Sequence, residues 1–134
     1  MAGLPIIGLY VSLLAGWLFY LGLRVANMRK AHQIGMGDKE NRILAVAIRV
    51  HGNAIENVPI SLLLLLMCSL SGASVYFLHA VGVALLLSRI SHAYGMTISG
   101  GRYSIFRLLG ILVNWLLMLL MIGVNLFYYL AAYS

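Results

Sequence analysis

Residues 60–88 read ISLLLLLMCSLSGASVYFLHAVGVALLLS and contain no Lys, Arg, Asp or Glu. A short uncharged turn, Ser71 to Ser74, interrupts this otherwise apolar stretch. A helix needs about 20 mostly apolar residues to cross the hydrocarbon core of a bilayer. We therefore predict two membrane spans joined by this turn, span two from Arg42 to about Leu70 and span three from about Val75 to His92.

Two further uncharged stretches flank this pair of spans. No charged residue occurs from Met1 to Leu23 or from Leu108 to Ser134. They predict span one over Leu4 to Leu23 and span four over about Arg107 to Tyr129. With 63% hydrophobic residues, 9% charged residues and a mean hydropathy of +0.99, the chain is excluded from the class of soluble domains. The predicted fold class is an all-α integral membrane protein, a four-transmembrane-helix bundle that forms one domain over residues 1–134.

The polar connectors between the spans carry most of the positive charge. One runs from Arg24 to Arg42 and holds five of the nine Lys and Arg residues, and a second runs from Tyr94 to Phe106. By the positive-inside rule both connectors face the cytoplasm, and both termini lie on the other side. The apolar start lacks a basic n-region, which predicts a retained span rather than a cleaved signal peptide. Topology and lipid headgroups account best for four cations: Arg24, Arg29, Lys30 and Arg102.

Several other kinds of site are disfavoured by the same sequence. The net charge of +6 is not arranged as a basic run with interleaved aromatics, so nucleic acid is not a predicted partner. The one cysteine, Cys68, cannot form an internal disulfide and suits a small core position. The sequence contains neither an HExxH motif nor a Cys/His cluster, so no metal site is predicted. A haem is disfavoured because no two of His51, His79 and His92 are placed clearly across one bundle core.

The first half of span two holds an anomalous polar segment. At about 100° per residue, Arg42, Arg49, Asn53 and Glu56 fall on a single stripe of the helix. A charge at mid-helix costs about 3 kcal/mol on insertion scales, so such residues are usually paired, buried in the bundle or functional. Arg49 and Glu56 can form a structural ion pair with Asn53 as an interhelical contact. Ionisable residues inside a membrane more often belong to a functional site, so we favour a functional role for these residues over a purely structural one.

More cations are expected at the same membrane face. Arg89 and His92 lie one turn apart at the end of span three, and Arg107 begins span four. Glu56 is the one carboxylate in the spans, where it faces three arginines: Arg49, Arg89 and Arg107. Guanidinium groups bind carboxylates and phosphates through paired hydrogen bonds and stay charged when partly buried. This imbalance favours an anionic ligand.

The polar segment of span two resembles the second-helix signature of the MAPEG family, the membrane-associated proteins in eicosanoid and glutathione metabolism. The resemblance rests on four polar or special residues at fixed spacing: Arg49-xxx-Asn53-xx-Glu56-Asn57-x-Pro59. Arg89-xx-His92 near the end of span three and Arg107 at the start of span four resemble further positions of this family. The small bacterial members are the most similar, with agreement in length and span number over the whole chain. This resemblance implies a bacterial inner membrane protein.

The resemblance also implies a homotrimer that binds glutathione between neighbouring subunits near the cytoplasmic face, without a metal. The glutathione-binding residues that it implies are Arg49, Asn53, Glu56, Arg89, His92 and Tyr94. Arg107 matches the family arginine beside the glutathione sulfur and is the expected catalytic residue, since a nearby guanidinium lowers the pKa of a thiol. Met96 stands where several family enzymes have a tyrosine one turn beyond the histidine.

The implied function is that of a glutathione-dependent transferase or peroxidase. Its second substrate would be a hydrophobic small molecule or lipid that arrives laterally from the surrounding membrane lipids. Two other hypotheses stay open. A small four-span transporter would exchange protons and substrate at Glu56. A non-catalytic membrane scaffold would use the polar stripe only to hold a trimer together.

Overall fold

The computed structural model describes residues 3–134 as four long α-helices joined by short loops. They are α1 (Gly3–His32), α2 (Arg42–Leu70), α3 (Val75–Ile98) and α4 (Ile105–Tyr133). Each helix is long and apolar enough to cross a membrane. The prediction of an all-α chain with four candidate membrane spans is confirmed.

Side-chain caps set the starts of α2 and α3, and a glycine turn joins these two helices at residues 71–74. The Asn41 side chain accepts from the Leu44 amide at 3.1 Å and begins α2. The Ser74 hydroxyl accepts from the Phe77 amide at 3.2 Å and begins α3. Gly72 has a φ of +97°, a left-handed conformation that glycine adopts without steric cost, and it reverses the chain between α2 and α3. The predicted turn is thereby confirmed.

The first helix is longer than the span predicted for it. α1 continues past Leu23 to His32, so the first part of the predicted connector is helical. Charge alone does not end a helix, and cations in the last turn interact favourably with the helix dipole. The helical extension carries three cations: Arg24, Arg29 and Lys30. The prediction that the connector begins at Arg24 was therefore wrong.

The third helix also extends beyond its predicted span. α3 continues past His92 to Ile98, which places Tyr94 inside the helix rather than in the second connector. α4 begins at Ile105, two residues before the predicted start at Arg107. The connector between these helices is thus shorter than the sequence indicated, because the helical hydrogen bonds of α3 continue until the glycines at 100 and 101.

α2 and α3 form the centre of the bundle, since each contacts the three other helices. α1 and α4 do not contact each other within residues 3–134. We call the end with residues 33–41 and 99–104 the basic end, and the end with residues 71–74 the turn end. Buried apolar side chains form three layers from the turn end to the basic end: Leu65, Cys68, Leu78 and Met121; Leu14, Val58 and Leu85; and Leu21, Val50, Ala54 and Ala93.

α3 and α4 approach each other at two glycines near the basic end. A Cβ atom added to Gly110 would lie 2.6 Å from both the backbone nitrogen of His92 and the carbonyl oxygen of Ser88. A Cβ atom added to Gly95 would overlap the backbone nitrogen of Arg107. Small residues let membrane helices pack backbone to backbone. These glycines therefore set the distance between the end of α3 and the start of α4.

Replacing Gly110 by alanine is expected to destabilise the protein by about 1–3 kcal/mol, because the added methyl group meets backbone atoms that cannot rotate away. Thermal unfolding in detergent micelles measures the effect. Gly123, in the same helix, has no atom within 4 Å of an added Cβ and is the matched control. Equal melting temperatures for Gly110→Ala and Gly123→Ala would contradict the close helix contact.

Candidate functional site

α2 presents Arg49, Asn53 and Glu56 near the basic end. The guanidinium of Arg49 donates to both carboxylate oxygens of Glu56, at 3.0 Å to Oε1 and 3.3 Å to Oε2. Residues seven apart complete nearly two helical turns, so the ion pair passes over the turn that carries Asn53. The ion pair considered for Arg49 and Glu56 from their spacing is present in the structure.

This ion pair lies on the outer surface of the single chain. The side chain of Arg49 is 59% exposed and that of Glu56 is 54% exposed. A charged side chain that faces hydrocarbon is costly, whereas one that faces protein or a water-filled cavity is tolerated. In a membrane this surface therefore requires a polar neighbour from outside the chain, which is a ligand, water or another protein surface.

Arg89 of α3 is a buried cation that links three helices. It is only 2% exposed. Its Nη1 donates to Oδ1 of Asn53 at 3.2 Å, and its Nη2 donates to the carbonyl oxygen of Gly110 at 2.8 Å. Its Nε has no hydrogen-bond partner within residues 3–134. Because carbonyl oxygens rather than a carboxylate hold this guanidinium, its positive charge is not neutralised by a direct ion pair.

His92 lies where the cations of three helices converge. Its side chain is 3% exposed. Arg89 lies one turn earlier in the same helix, the backbone of His92 packs against Gly110 one turn after Arg107, and Arg89 contacts Asn53 one turn after Arg49. These arginines belong to α3, α4 and α2, respectively. The predicted convergence of arginines at one end of the bundle is thus present, and tertiary packing rather than chain proximity creates it.

Two arginines near this group hold the loop between α3 and α4. Arg42 donates to the carbonyl oxygen of Gly100 through Nε at 3.1 Å and Nη2 at 3.0 Å. Arg107 donates through Nη1 to the carbonyl oxygen of Gly101 at 3.1 Å. Within residues 3–134 this contact uses one of the five N–H donors of Arg107, so the other donors can bind a ligand.

A chain of hydrogen bonds between asparagines extends from Asn53 into the bundle, and it was not predicted from the sequence. Asn114 of α4 is fully buried, and its Nδ2 donates to Oδ1 of Asn57 at 3.3 Å. Asn57 in turn donates to the carbonyl oxygen of Asn53 at 2.9 Å. Such interhelical amide contacts contribute about 1 kcal/mol in membranes. The signal was available, because Asn114 is a polar residue within an uncharged span.

The structure does not bring Tyr94 to this group within one chain. Tyr94 follows His92 by two residues, so it points to a different side of α3. Its exposed ring lies edge-on to Phe106, with 5.4 Å between the ring centroids. It also lines a groove between α1 and α3. The assignment of Tyr94 to glutathione binding stays a prediction.

Two further histidines lie apart from His92. His51 faces α1, where its Nε2 would be 3.3 Å from a Cβ atom added to Gly22. His79, near the turn end, shares a hydrogen bond of 2.9 Å between its Nδ1 and the hydroxyl of Tyr10. Within residues 3–134, no three His, Cys, Asp or Glu residues are grouped as metal ligands would be.

The arrangement suits a small ligand with several negative groups and one positive group. Guanidinium groups of Arg49 and Arg107 offer forked donors for carboxylates. Glu56 offers an acceptor for an ammonium group. Because Oδ1 of Asn53 accepts from Arg89, the NH₂ group of the same amide is left to donate to a ligand.

The sequence model of the MAPEG family matches residues 7–127. The chain belongs to the MAPEG family. It is 35% identical over 120 residues to the inner membrane protein YecN of Escherichia coli strain K12, an alignment that covers 90% of this chain and 89% of YecN. The YecN protein of Escherichia coli O6:H1 is similar to the same extent. The resemblance drawn from the second-helix signature is confirmed.

The MAPEG signature residues have distinct positions in the fold. Arg49 and Glu56 face outward, Asn53 contacts Arg89 of α3, and Asn57 contacts Asn114 of α4. One signature thus serves both the outer surface and the packing between helices. The name of YecN specifies a membrane and no reaction. The chemistry of this MAPEG site must therefore be argued from its own residues.

Proposed function

We propose that the protein is a membrane-embedded glutathione-dependent transferase or peroxidase that acts on hydrophobic electrophiles. The observation that carries the proposal is that three helices bring Arg49, Arg89 and Arg107 to the end of the bundle that holds His92, with Glu56 as the carboxylate paired with Arg49. Glutathione carries two carboxylates, one ammonium group and one thiol. MAPEG proteins generally use glutathione, and this charge pattern complements it.

The outward face of α2 would hold the charged ends of glutathione. Glu56 would accept hydrogen bonds from the ammonium group, and Arg49 would donate to a carboxylate while keeping contact with Glu56. Asn53 would donate through its NH₂ group, in the orientation that Arg89 maintains. Arg89 and His92 are buried, so in this arrangement they contribute charge and orientation from behind Asn53.

Arg107 would stabilise the glutathione sulfur as a thiolate. A thiol becomes a strong nucleophile when it loses its proton, and a neighbouring cation lowers its pKa. In a transferase reaction the thiolate sulfur forms a bond to an electrophilic carbon, and the leaving group departs with its electron pair. A hydrophobic second substrate would reach the site laterally from the bilayer, since apolar side chains cover most of the outer surface of the chain.

A homotrimer would supply the polar neighbour that the exposed Arg49–Glu56 pair requires. Both side chains are more than half exposed in the single chain, and a second copy packed against α2 would remove them from lipid. The glutathione site would then lie between subunits. We propose an inner membrane location with the basic end in the cytoplasm and both termini on the other side, following the distribution of Lys and Arg.

Calorimetric titration of glutathione into the detergent-purified protein tests this proposal. Saturable binding is expected, with an ultraviolet difference spectrum of a bound thiolate. Arg49→Ala should weaken binding at least about tenfold, because a hydrogen bond to a charged group contributes about 1.5–3 kcal/mol. Arg102 is an exposed cation at the same end and serves as the control. Absence of binding to the wild-type protein at millimolar glutathione would contradict the proposal.

A transport assay and a measurement of the oligomer test the two alternative functions. A proton-coupled transporter needs Glu56 to gain and lose a proton during transport. Unchanged efflux in Glu56→Gln would remove the transport hypothesis. A scaffold predicts that the oligomer persists, without glutathione binding, and that Arg49→Leu with Glu56→Leu leaves it intact.

A further inference from the structure

A groove between α1 and α3 lies at the basic end. Its volume is about 270 Å³. Aromatic and apolar side chains form most of its wall, and Arg24 and Thr97 lie at the end nearest the loops. The lining residues are Trp17, Tyr20, Leu21, Arg24, Ile90, Ala93, Tyr94 and Thr97.

Polar atoms in this groove have unused hydrogen-bonding capacity. Arg24 donates through Nη1 to the hydroxyl of Thr97 at 3.1 Å, and no carboxylate lies within ion-pair distance of it in the described residues 3–134. The indole Nε1 of Trp17 is buried without a hydrogen-bond partner in the same residues. The Trp17 ring stacks on Tyr20, with 5.4 Å between centroids, and both rings line the groove together with Arg24.

The groove is separate from the proposed glutathione site. None of its lining residues belongs to α2 or α4, which carry Arg49, Glu56 and Arg107. It is formed on α3 by the side that carries Tyr94, whereas Arg89 contacts α2 and α4 and the backbone of His92 packs against Gly110 of α4. The groove and the outward charges of α2 therefore lie on different helices.

The groove has its cation at the level of a phospholipid headgroup and its aromatic side chains at the level of the acyl chains. Arg24 directly follows the uncharged stretch that ends at Leu23, which places its guanidinium at headgroup level. Trp17 is seven residues earlier and about 10 Å deeper along the helix axis, at the level of the first acyl carbons. A phosphate beside Arg24 and a chain along Trp17 and Tyr20 would match this order. A free anion would leave the aromatic wall without a partner.

We propose that this groove is a specific binding site for a phospholipid with an anionic headgroup. The phosphate and headgroup contact Arg24 and Thr97, and one acyl chain packs along Trp17 and Tyr20. The net charge of +6 adds long-range attraction for anionic lipid at this end. This proposal does not depend on glutathione, because Tyr94 is the one groove residue among the predicted glutathione-binding residues and the lipid contacts proposed at Arg24, Thr97, Trp17 and Tyr20 do not use it.

Native mass spectrometry of the delipidated protein tests the proposal. Phosphatidylglycerol and phosphatidylcholine with identical acyl chains are added separately. We expect retention of phosphatidylglycerol to exceed that of phosphatidylcholine about tenfold, and Arg24→Gln to abolish this difference. Arg102→Gln removes an exposed cation at the same end, outside the groove, and is expected to keep it. Trp17→Leu should lower retention of both lipids.

Three results would overturn the proposal. The first is equal retention of the two lipids by the wild-type protein, a measurement that needs no variant to fold. The second is an equal loss of selectivity in Arg24→Gln and Arg102→Gln, which would show only diffuse attraction to positive charge. The third is complete displacement of the lipid by millimolar inorganic phosphate, which would show a simple anion site. Glutathione titration of Arg24→Gln should be unchanged, so the two proposals fail independently.

Discussion

Replacing Arg107 by alanine is expected to lower the turnover of glutathione with an activated aryl chloride by about 100-fold or more, while glutathione affinity changes only a few-fold. The guanidinium acts on the sulfur as negative charge develops, and removing one such preorganised donor costs about 10²–10³ in kcat. The thiolate band in the ultraviolet difference spectrum should disappear in the same variant. Steady-state kinetics and the difference spectrum together measure the effect.

Arg107 also donates to the carbonyl oxygen of Gly101, so a structural role must be separated from a chemical one. Thermal unfolding of Arg107→Ala should remain close to that of the wild-type protein, because one contact to a loop carbonyl contributes about 1 kcal/mol. Arg102→Ala is the control for a general loss of positive charge. A retained thiolate band with normal turnover in Arg107→Ala would refute the catalytic assignment.

Replacing Arg89 by methionine is expected to weaken glutathione binding at least about tenfold, although Arg89 is buried. The guanidinium orients the Asn53 amide, and without it the NH₂ group of Asn53 is no longer directed at the ligand. The effect on folding should be smaller than the loss of two hydrogen bonds suggests, because methionine also removes the cost of burying a cation. Calorimetry and thermal unfolding measure the two effects separately.

A double-mutant cycle isolates the contribution of Asn53. If Arg89 acts through Asn53, then Arg89→Met combined with Asn53→Ala should bind glutathione about as weakly as Asn53→Ala alone. Arg89→Lys keeps the charge but not the forked geometry that reaches both Asn53 and Gly110, so it should restore binding only in part. Additive losses in the double variant would show that Arg89 acts on the ligand directly.

Helix number and turn position could be predicted because they depend on local composition. Residues 60–88 contain no charge and one short polar turn, and the structure has α2 and α3 on either side of Gly72. The helix ends at the basic end of the bundle could not be predicted as well from composition. Lys and Arg mark where a helix leaves the hydrocarbon, but they do not break its hydrogen bonds, so α1 continues to His32.

The candidate site could be predicted only in part. Spacing along one helix was sufficient to place Arg49, Asn53 and Glu56 on a common stripe. The contribution of Asn114 was missed, because an amide in an apolar span does not reveal which helix it contacts. The assignment of Tyr94 to glutathione binding stays a prediction, and two residues along a helix separate its side chain from that of His92 by about 200°.

The sequence by itself determined that this chain forms four apolar helices and carries the MAPEG signature, since both depend on residue type and spacing. Only the tertiary structure decided that Arg49 pairs outward with Glu56 while Arg89 turns inward to Asn53 and a carbonyl oxygen. Periodicity places a residue around its own helix axis but does not specify the neighbouring helix. That choice follows from the close backbone contact of α3 and α4 at Gly110, which no single-helix pattern contains.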